Sequence, residues 1–545
     1  MAPHSDSSQL SPFRYRIFAT IWGASLISNL GTQLQQVGAG WLMTSLTTSP
    51  DKVALVQSAV ALPVMLFALV AGALADNIDR RRLMLTAQGF MLVTALALTA
   101  LAWAGLLTPW SLLGLTFLLG AGQALNNPAW QASVGDMVPR AELPQAVVLN
   151  SIGFNIARSI GPAIGGLIVA AAGAAVAFAM NAASFLVMLG TLVSWRTEPR
   201  KAALPREEIW RAVVDGVAYV AMSPNLLRVL LRAFLFGFGA VALLALLPVV
   251  ARHMLDAGPL SYGLMLGAFG MGAILGGLLN PRLAAVLSGE GRARAGFVLF
   301  GLALVWLAVS RDLWVSAPAL ALAGASWVLT LSLFNVMVQL STPRWVVGRA
   351  ISLYQTAVFG GMALGSWTWG GAAARFGVPA ALAIAAATLA VGALVGLARR
   401  LPEPGLIDLD PLDRFREPEL QLDLRLRSGP IAVTVEYEIR QEDVAEFLAN
   451  MAVRRRIRVR DGARRWALLR DLENPRLWSE SYHVATWTEY LRHNMRRTRA
   501  DADNLDHLRA LHQGEGHPKV HRMIERPTVP RHDDMPLRSV SELAP

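Results

Sequence analysis

Cysteine is absent from the 545 residues. Its absence excludes disulfides, cysteine zinc sites, thiolate chemistry and iron–sulfur clusters together. Charge is also scarce, since Asp, Glu, Lys and Arg make up 16% of the chain, against about 25% in a soluble protein. Hydrophobic residues make up 54%. Most of the chain is therefore predicted to lie in lipid. A cleavable signal peptide is not apparent, because residues 1–11 are polar and the first apolar run continues too long.

The sequence instead contains long apolar runs. A helix needs about 20 residues to cross a ~30 Å hydrocarbon core, and six runs of about that length fall at 17–46, 53–75, 83–107, 110–134, 145–171 and 174–195. Six more fall at 227–251, 260–280, 294–310, 314–340, 348–373 and 378–398. The pattern predicts an all-α membrane region of 12 transmembrane helices in two parallel six-helix halves. The predicted segments are a leader at 1–13, the halves at 14–195 and 226–400, and a hydrophilic connector at 196–225 with an interfacial helix over 209–221.

Basic residues concentrate in alternate loops. With the N-terminus inside, the inner loops hold the block Arg80–Arg82, Arg140 and Arg200, whereas the outer loops hold little more than Lys52 and Arg252. The positive-inside rule then predicts a multi-pass cell-membrane protein with both termini in the cytoplasm. This distribution accounts for most of the net charge of +11 without nucleic acid as a partner.

An internal repeat relates the two halves. A shift of 204 places Gly72 on Gly276 and Gly166 on Gly370, and four further residues of slip place Asn127 on Asn335. Parallel repeats of this kind predict a binding site near the midplane, between the halves.

The stretch from Gly72 to Arg82 resembles the loop between the second and third helices of the major facilitator superfamily, roughly G-x-L-x-D-R-x-G-R-R. Gly72, Leu74, Asp76, Arg80 and Arg81 match, while Asn77 and Asp79 replace the usual Arg and Gly. Members of the superfamily are secondary transporters that work by alternating access. The resemblance therefore implies transport, without cofactor or covalent chemistry, of a small organic molecule.

The same stretch has a possible mechanical role. Asp76 is able to cap a neighbouring helix, and Arg80 or Arg81 is able to pair with Asp136, so we predict a conformational latch made of Gly72, Asp76, Arg80, Arg81 and Asp136. The alternative is that the arginines only fix the topology. Because Asn280 stands at the position equivalent to Asp76, we expect Asp76→Asn to impair transport more than Asn280→Ala.

Polar side chains recur on single faces of several predicted spans. Such groups are costly in lipid unless they face a cavity or each other, so they are candidates either for substrate binding or for hydrogen bonds that hold the bundle. The predicted substrate-binding residues are Asn29, Gln33, Gln36, Asn127, Gln131, Asn155, Arg158, Asn335, Gln339, Tyr354 and Gln355.

Arg158 is the one charged member of this set. It is predicted either to contact an anionic substrate or to pair internally with carbonyl or amide groups. No Asp or Glu lies deep within a predicted span. The driving force is thus open at this stage, although the family resemblance implies proton antiport.

Glycines near Arg158 resemble the antiporter motif of the superfamily's fifth helix. Gly153 precedes Gly161, Pro162, Gly165 and Gly166 at nearly the family spacing, one residue short. Glycines let helices approach closely and proline allows a bend, so the motif favours export, but small-residue packing also explains it.

Residues after 400 predict a separate soluble part. A proline-rich linker at 401–429 leads to a region at 430–527 whose order of elements, β-α-β-β-α-β, predicts a ferredoxin-like α+β domain, followed by a tail at 528–545. Trp487–His493 and Arg464–Trp466 resemble the dimeric α+β barrel of antibiotic-biosynthesis monooxygenases, which is also seen as a tail on exporters of the enterobactin-exporter type. The resemblance implies a homodimerising module. The run 454–460 is predicted to be a solvated or dimer-rim face.

The sequence leaves two functional hypotheses open. We predict a secondary transporter, an exporter of a siderophore or drug-like metabolite. The alternative is a membrane-anchored sensor or enzyme in which His483, His493 and Trp487 line a pocket of the C-terminal domain.

Overall fold

A computed structural model describes residues 10–139, 142–195, 209–343, 345–401, 408–409, 412, 414–422 and 424–525. The predicted leader, connector, linker and tail fall partly or wholly outside these residues. The described chain forms two compact units. One is a helical bundle. The other contains the C-terminal α+β region together with Val214–Leu226 and Gln339–Ala350.

Among the described residues, twelve long helices make up the bundle. The first half contains α1 (Arg16–Leu46), α2 (Pro50–Asn77), α3 (Arg80–Trp103), α4 (Pro109–Met137), α5 (Leu143–Ala172) and α6 (Ala174–Ser194). The short helix α7 (Ile209–Ala221) precedes the second half. That half contains α8 (Pro224–Val249), α9 (Pro259–Val286), α10 (Gly289–Val309), α11 (Leu313–Leu340), α12 (Val347–Phe376) and α13 (Val378–Ala398).

Nine helices of the described chain are long and apolar enough to cross a membrane. The three other long helices, α1, α4 and α12, have 31, 29 and 30 residues but are not among the nine. These are three of the helices in which we predicted polar faces. Their polar residues, which suggested a binding site, also lower their hydropathy.

Helix pairing follows the same plan in both halves. In the first, α1 packs on α5 and α6, α2 on α4, and α3 on α4 and α6. In the second, α8 packs on α12 and α13 through Gly237 and Gly239, α9 packs on α11 through Gly272, and α10 packs on α11 and α13 through Gly296 and Gly392. The repeat seen in the sequence is therefore also a repeat of helix contacts.

Two related contacts are among those that join the halves. Helix α5 packs on α9, where a Cβ at Gly166 would lie 2.7 Å from the Pro259 carbonyl oxygen. Helix α12 packs on α2, where the Ser58 hydroxyl donates to the Ala363 carbonyl at 2.8 Å and a Cβ at Gly370 would lie 2.9 Å from the Asp51 Cα. Because Gly166 and Gly370 are equivalent in the repeat, equivalent glycines allow both contacts.

The shift of 204 does not hold at the second helix of each half. Asp79 caps α3 by accepting from the Arg82 amide, and Ser288 caps α10 by accepting from the Gly291 amide. These caps are 209 residues apart (288 minus 79), and α2 and α9, which have 28 residues each, also begin 209 positions apart. The echo Gly276–Arg282 is therefore not a loop but lies within α9.

The C-terminal region is a four-stranded antiparallel sheet with helices. Its elements are β1 (Ile431–Glu438), α14 (Val444–Arg460), β2 (Arg464–Arg470), β3 (Leu477–Val484), α15 (Trp487–Met495), α16 (Ala502–Leu511) and β4 (Lys519–Ile524). The strand order is β2-β3-β1-β4. One side chain in two along β1 is buried, as its alternating sequence predicted.

One expectation for this region is wrong. The run 454–460 is not a solvated or rim face throughout, because Arg454 and Arg458 are only 2% and 3% exposed. They lie on the inner side of α14 near Glu480 of β3, which is fully buried. Arg455 and Arg456 are exposed, as expected. A run of arginines at helical spacing has an inner and an outer side, and charge counting alone does not distinguish them.

Candidate functional site

A cavity of about 720 Å³ lies inside the bundle, lined by both halves. Helices α1, α2 and α5 contribute from the first half, and α8, α9, α11 and α12 from the second. Its volume falls in the range of small-molecule sites, about 300–1,000 Å³. The cavity therefore lies between the two sets of helices, where the repeat predicts a binding site.

Seven of the eleven residues that we predicted to bind substrate line this cavity. They are Gln33, Gln36, Asn155, Arg158, Asn335, Tyr354 and Gln355. The other four, Asn29, Asn127, Gln131 and Gln339, are not among its lining residues. Asn29 lies 3.5 Å from the Ser25 hydroxyl on its own helix, and Asn127 is exposed. Helix α4 contributes nothing to the cavity, although its repeat partner α11 contributes Asn335. A binding role for these four remains a prediction.

Arg158 lies beside two aromatic rings in the wall of the cavity. Its guanidinium carbon lies 5.8 Å from the ring centre of Phe269 and 6.0 Å from that of Trp327. None of the described carboxylates forms an ion pair with it. Cation–π contacts of this kind stabilise a cation but leave its donors free for an anion. Contact of Arg158 with an anionic substrate stays a prediction that this geometry allows.

Several lining residues were not in the predicted set. Gln57 of α2 and Ser332 of α11 add polar groups, while Tyr262, Phe269 and Trp327 add aromatic walls. Gln57 was detectable as another amide in an apolar run. The aromatic residues were not, because Trp and Phe in a span pack equally well against lipid or neighbouring helices.

The latch residues are partly described. Arg80 donates to the Asp136 carboxylate at 2.8 Å and to the Ala132 carbonyl at 2.9 Å. Arg81 donates to the carbonyls of Leu192 and Val193 at the end of α6. The side chain of Asp76 lies outside the described residues. The basic block thus ties α3 to the ends of two other helices.

The glycine motif of α5 lies at close helix approaches. A Cβ at Gly161 would lie 2.7 Å from Gln33 Cβ, and one at Gly165 would lie 3.2 Å from Leu34 Cα. Both contacts join α5 to α1. Gly166 joins α5 to α9, as described above, and Pro162 lines the cavity. The motif therefore lies beside the cavity and at the interface of the halves.

An ion pair in the second half escaped sequence analysis. Arg232 of α8 is 1% exposed, and its Nη1 lies 3.4 Å from Glu290 at the start of α10. The other oxygen of Glu290 accepts from the Leu401 amide at 3.0 Å. Glu290 looked like a loop residue because it follows an apolar run, and its partner is 58 residues away in sequence.

The histidines of the C-terminal region do not form the pocket of the alternative hypothesis. His493 is buried, with Nδ1 at 3.2 Å from the Asp461 carbonyl and Nε2 at 3.0 Å from Arg458. Burial and the charge of Arg458 lower the pKa of His493 well below its usual value. Trp487 is a core residue stacked on Tyr490. None of the three, including His483, lines the cavity of that region.

Two membrane-embedded halves around a central cavity define a secondary transporter of the major facilitator fold, not an enzyme. Comparison with known proteins agrees with this class. Residues 7–528 match the model of the family described as "Transmembrane secretion effector", and the chain belongs to that family of major facilitator transporters.

Curated relatives are similar over most of their length. The Enterobactin exporter EntS of Escherichia coli O1:K1 is 27% identical over 414 residues, which cover 73% of this chain and 93% of that protein. The Multidrug efflux pump Tap of Mycolicibacterium fortuitum is 24% identical, covering 70% and 95%. The Staphyloferrin A transporter of Staphylococcus aureus is 25% identical, covering 52% and 72%.

Solved structures share the fold. A bacterial homologue of the human lysosomal transporter Spinster, in an inward-facing and occupied conformation, superposes with a TM-score of 0.58 at 14% identity. The match covers 72% of this chain and 98% of that one. The POT family transporter PepTSo gives the same TM-score, covering 70% and 97%.

Proposed function

We propose that this protein exports a small organic molecule, a siderophore or a drug-like metabolite, by alternating access. The observation that carries the proposal is the cavity, in which amides from both halves surround one arginine between aromatic rings. Its chemistry suits an amphipathic molecule with an acidic group. The relatives named for enterobactin, staphyloferrin A and drug efflux support the same class of substrate.

Alternating access would come from rocking of the halves at their two glycine contacts, α5 on α9 and α2 on α12. We propose that both termini are cytoplasmic, which rests on the charge of the loops. Coupling to proton antiport rests on the family resemblance. Among the described lining residues none is Asp, Glu or His, so a proton would have to enter on the substrate or at a group away from the cavity.

Inside-out membrane vesicles test the proposal. We expect energised vesicles that contain the protein to accumulate at least one acidic member of a panel of siderophores and drugs. Arg158→Gln should lower that uptake at least tenfold, since losing a charge-assisted contact costs about 1.5–3 kcal/mol. Arg375→Gln, at an exposed arginine at the end of α12, is the control and should transport normally. Equal uptake by both variants would refute the role of Arg158.

For the C-terminal region we propose a ferredoxin-like domain related to the dimeric α+β barrels, which pairs two copies of the chain. The antiparallel order β2-β3-β1-β4 supports the first part, and the sequence resemblance supports the second. Light scattering of the purified protein with and without residues 402–545 tests the dimer. If the shortened protein still transports the same substrate, the sensor alternative also fails, because the bundle alone is then sufficient.

A further inference from the structure

The C-terminal region contains a second cavity, of about 600 Å³, between its sheet, its helices and the residues that precede β1. Seven arginines line it, and none of the described lining residues is Asp or Glu. The arginines are Arg414, Arg416, Arg454, Arg458, Arg497, Arg509 and Arg522. An internal space with this charge attracts anions.

Among the described residues, one buried carboxylate, that of Glu480, lies beside the buried arginines at the base of this cavity. Glu480 accepts from Arg458 Nε at 2.9 Å and from Trp466 Nε1 at 3.1 Å, and its other oxygen lies 3.4 Å from both Arg458 Nη2 and the Tyr437 hydroxyl. Both oxygens of Glu480 are therefore already used. Burial alone would raise the pKa of Glu480, but the neighbouring arginines outweigh it and lower the pKa to about 2.

Arg454 is left without a comparable partner. Its Nε lies 3.8 Å from Glu480, which is too long for a hydrogen bond, and it has no hydrogen-bond partner in the described part of the chain. The residue is 2% exposed and lines the cavity. A buried guanidinium without such a partner is costly. An anion in the cavity would remove that cost.

Arg497 adds a third cation to the same base. It donates to the side-chain oxygen of Asn494 and to no described carboxylate. Burial, followed by the charges of Arg458 and Arg454, lowers the pKa of Arg497 to about 10. Three guanidiniums thus share one carboxylate, which leaves an excess of positive charge.

Aromatic rings form part of the remaining wall, beside aliphatic residues such as Leu412 and Val435. Tyr437, Tyr482 and Tyr490 are each at most 2% exposed, and Phe415 meets Tyr490 edge to face, with ring centres 6.1 Å apart. Such walls accommodate a flat apolar body. Inorganic phosphate would satisfy the arginines but would leave this aromatic surface uncovered.

We propose that this cavity binds a flat organic anion, with Arg454 and Arg497 holding its acidic group and the tyrosines packing on its body. The site is separate from the transport cavity and does not depend on the proposed function. It makes the C-terminal region a ligand-binding module whose ligand is an aromatic or similarly planar acid.

Calorimetry on the purified full-length protein tests the proposal with matched probes. The probes are 2-naphthoate, its neutral amide 2-naphthamide, and inorganic phosphate. We expect 2-naphthoate to bind at least tenfold more tightly than either of the others. Equal binding of the amide would refute the anion site. Tighter binding of phosphate would refute the planar ligand. Absence of naphthoate binding at millimolar concentration would refute the proposal as a whole, for example because another segment of the chain fills the cavity.

Variants at Arg454 separate ligand binding from a structural role. Arg454→Gln should weaken naphthoate binding at least tenfold, while Arg456→Gln, at an exposed position of the same helix, should leave it unchanged. Without ligand, Arg454→Gln should unfold at the same or a higher temperature than the wild type, because it removes a buried charge that has no hydrogen-bond partner in the described part of the chain. A lower unfolding temperature without ligand, or unchanged naphthoate affinity, would show that Arg454 serves the fold and would overturn the assignment.

Discussion

The two units bury arginine in different ways. In the bundle, Arg158 faces a cavity between Phe269 and Trp327, with no described carboxylate paired to it. In the C-terminal unit, Arg458 lies against Tyr482 at 4.3 Å and holds Glu480 through two nitrogens. Both arginines contact aromatic rings, so the carboxylate is the difference. An arginine with a fixed carboxylate partner serves the fold, and one without is available to a ligand.

Removing the carboxylate gives the largest expected effect. Glu480→Gln leaves the buried charges of Arg458, Arg454 and Arg497 without compensation, and breaking a buried pair from one side costs about 3–5 kcal/mol. We expect the C-terminal unit of the variant to unfold at much lower urea, measured by proteolysis of the full-length protein in urea.

Glu446→Gln is the matched control for this variant. Glu446 pairs with His507 at 2.7 Å, but its side chain is 55% exposed, so we expect a change within about 0.5 kcal/mol. Similar losses in the two variants would show that burial of the carboxylate does not matter, and the comparison would fail.

Acid should destabilise the C-terminal unit through the same residue, Glu480. The pKa of Glu480 falls to about 2 in the folded protein, against an ordinary value of 4.5. The unfolded chain thus binds the proton first, so the contribution of Glu480 is full above pH 4.5 and is lost as the pH falls toward 2. A difference of about 2.5 units corresponds to about 3 kcal/mol.

The measurement is the urea midpoint of the C-terminal unit from pH 7 to pH 3, in wild type and Glu480→Gln. The wild type should lose its advantage over the variant below pH 4.5. Parallel curves for the two proteins would mean that folding does not lower the pKa of Glu480.

Substitution of Arg158 should change transport and leave stability unchanged. Lysine keeps the charge but cannot present two parallel donors to one acidic group. We expect Arg158→Lys to transport an acidic substrate several-fold more slowly than the wild type while unfolding at the same temperature. Neutral substrates, if the panel contains any, should be affected less. A marked fall in unfolding temperature would show that Arg158, like Arg458, stabilises the fold.

The bundle was more predictable from the sequence than the C-terminal unit, for a physical reason. Lipid selects long apolar spans, so the long helices and the amides that interrupt them, such as Gln33 and Asn155, were visible one by one. In the C-terminal unit, strand β1 was predictable from the alternation of its side chains. The meeting of Arg458 with Glu480 was not, because a pair 22 residues apart depends on how α14 lies on β3.

The register of α9 and the Arg232–Glu290 pair show the same limit inside the bundle. The shift of 204 placed Gly276 on Gly72, but α2 and α9 have equal lengths and begin 209 positions apart. A Cβ at Gly276 would lie 2.6 Å from the Ala325 carbonyl of α11, whereas one at Gly72 would lie 3.1 Å from the Ser352 hydroxyl of α12. A single shift taken from the sequence does not predict a change of register between helices.

The Arg80–Asp136 pair should contribute little to stability. Their side chains are 32% and 24% exposed, so the 2.8 Å pair is worth at most about 1 kcal/mol. We expect Asp136→Asn to leave the unfolding temperature nearly unchanged. If the pair is part of the predicted latch, transport should nevertheless fall several-fold, because a small bias between access states changes their populations directly. Asp312→Asn, at a carboxylate that caps α11 at 2.8 Å, is the control: it should cost comparable stability without slowing transport. Equal transport by the two variants would leave the arginines of this loop with a role in topology alone.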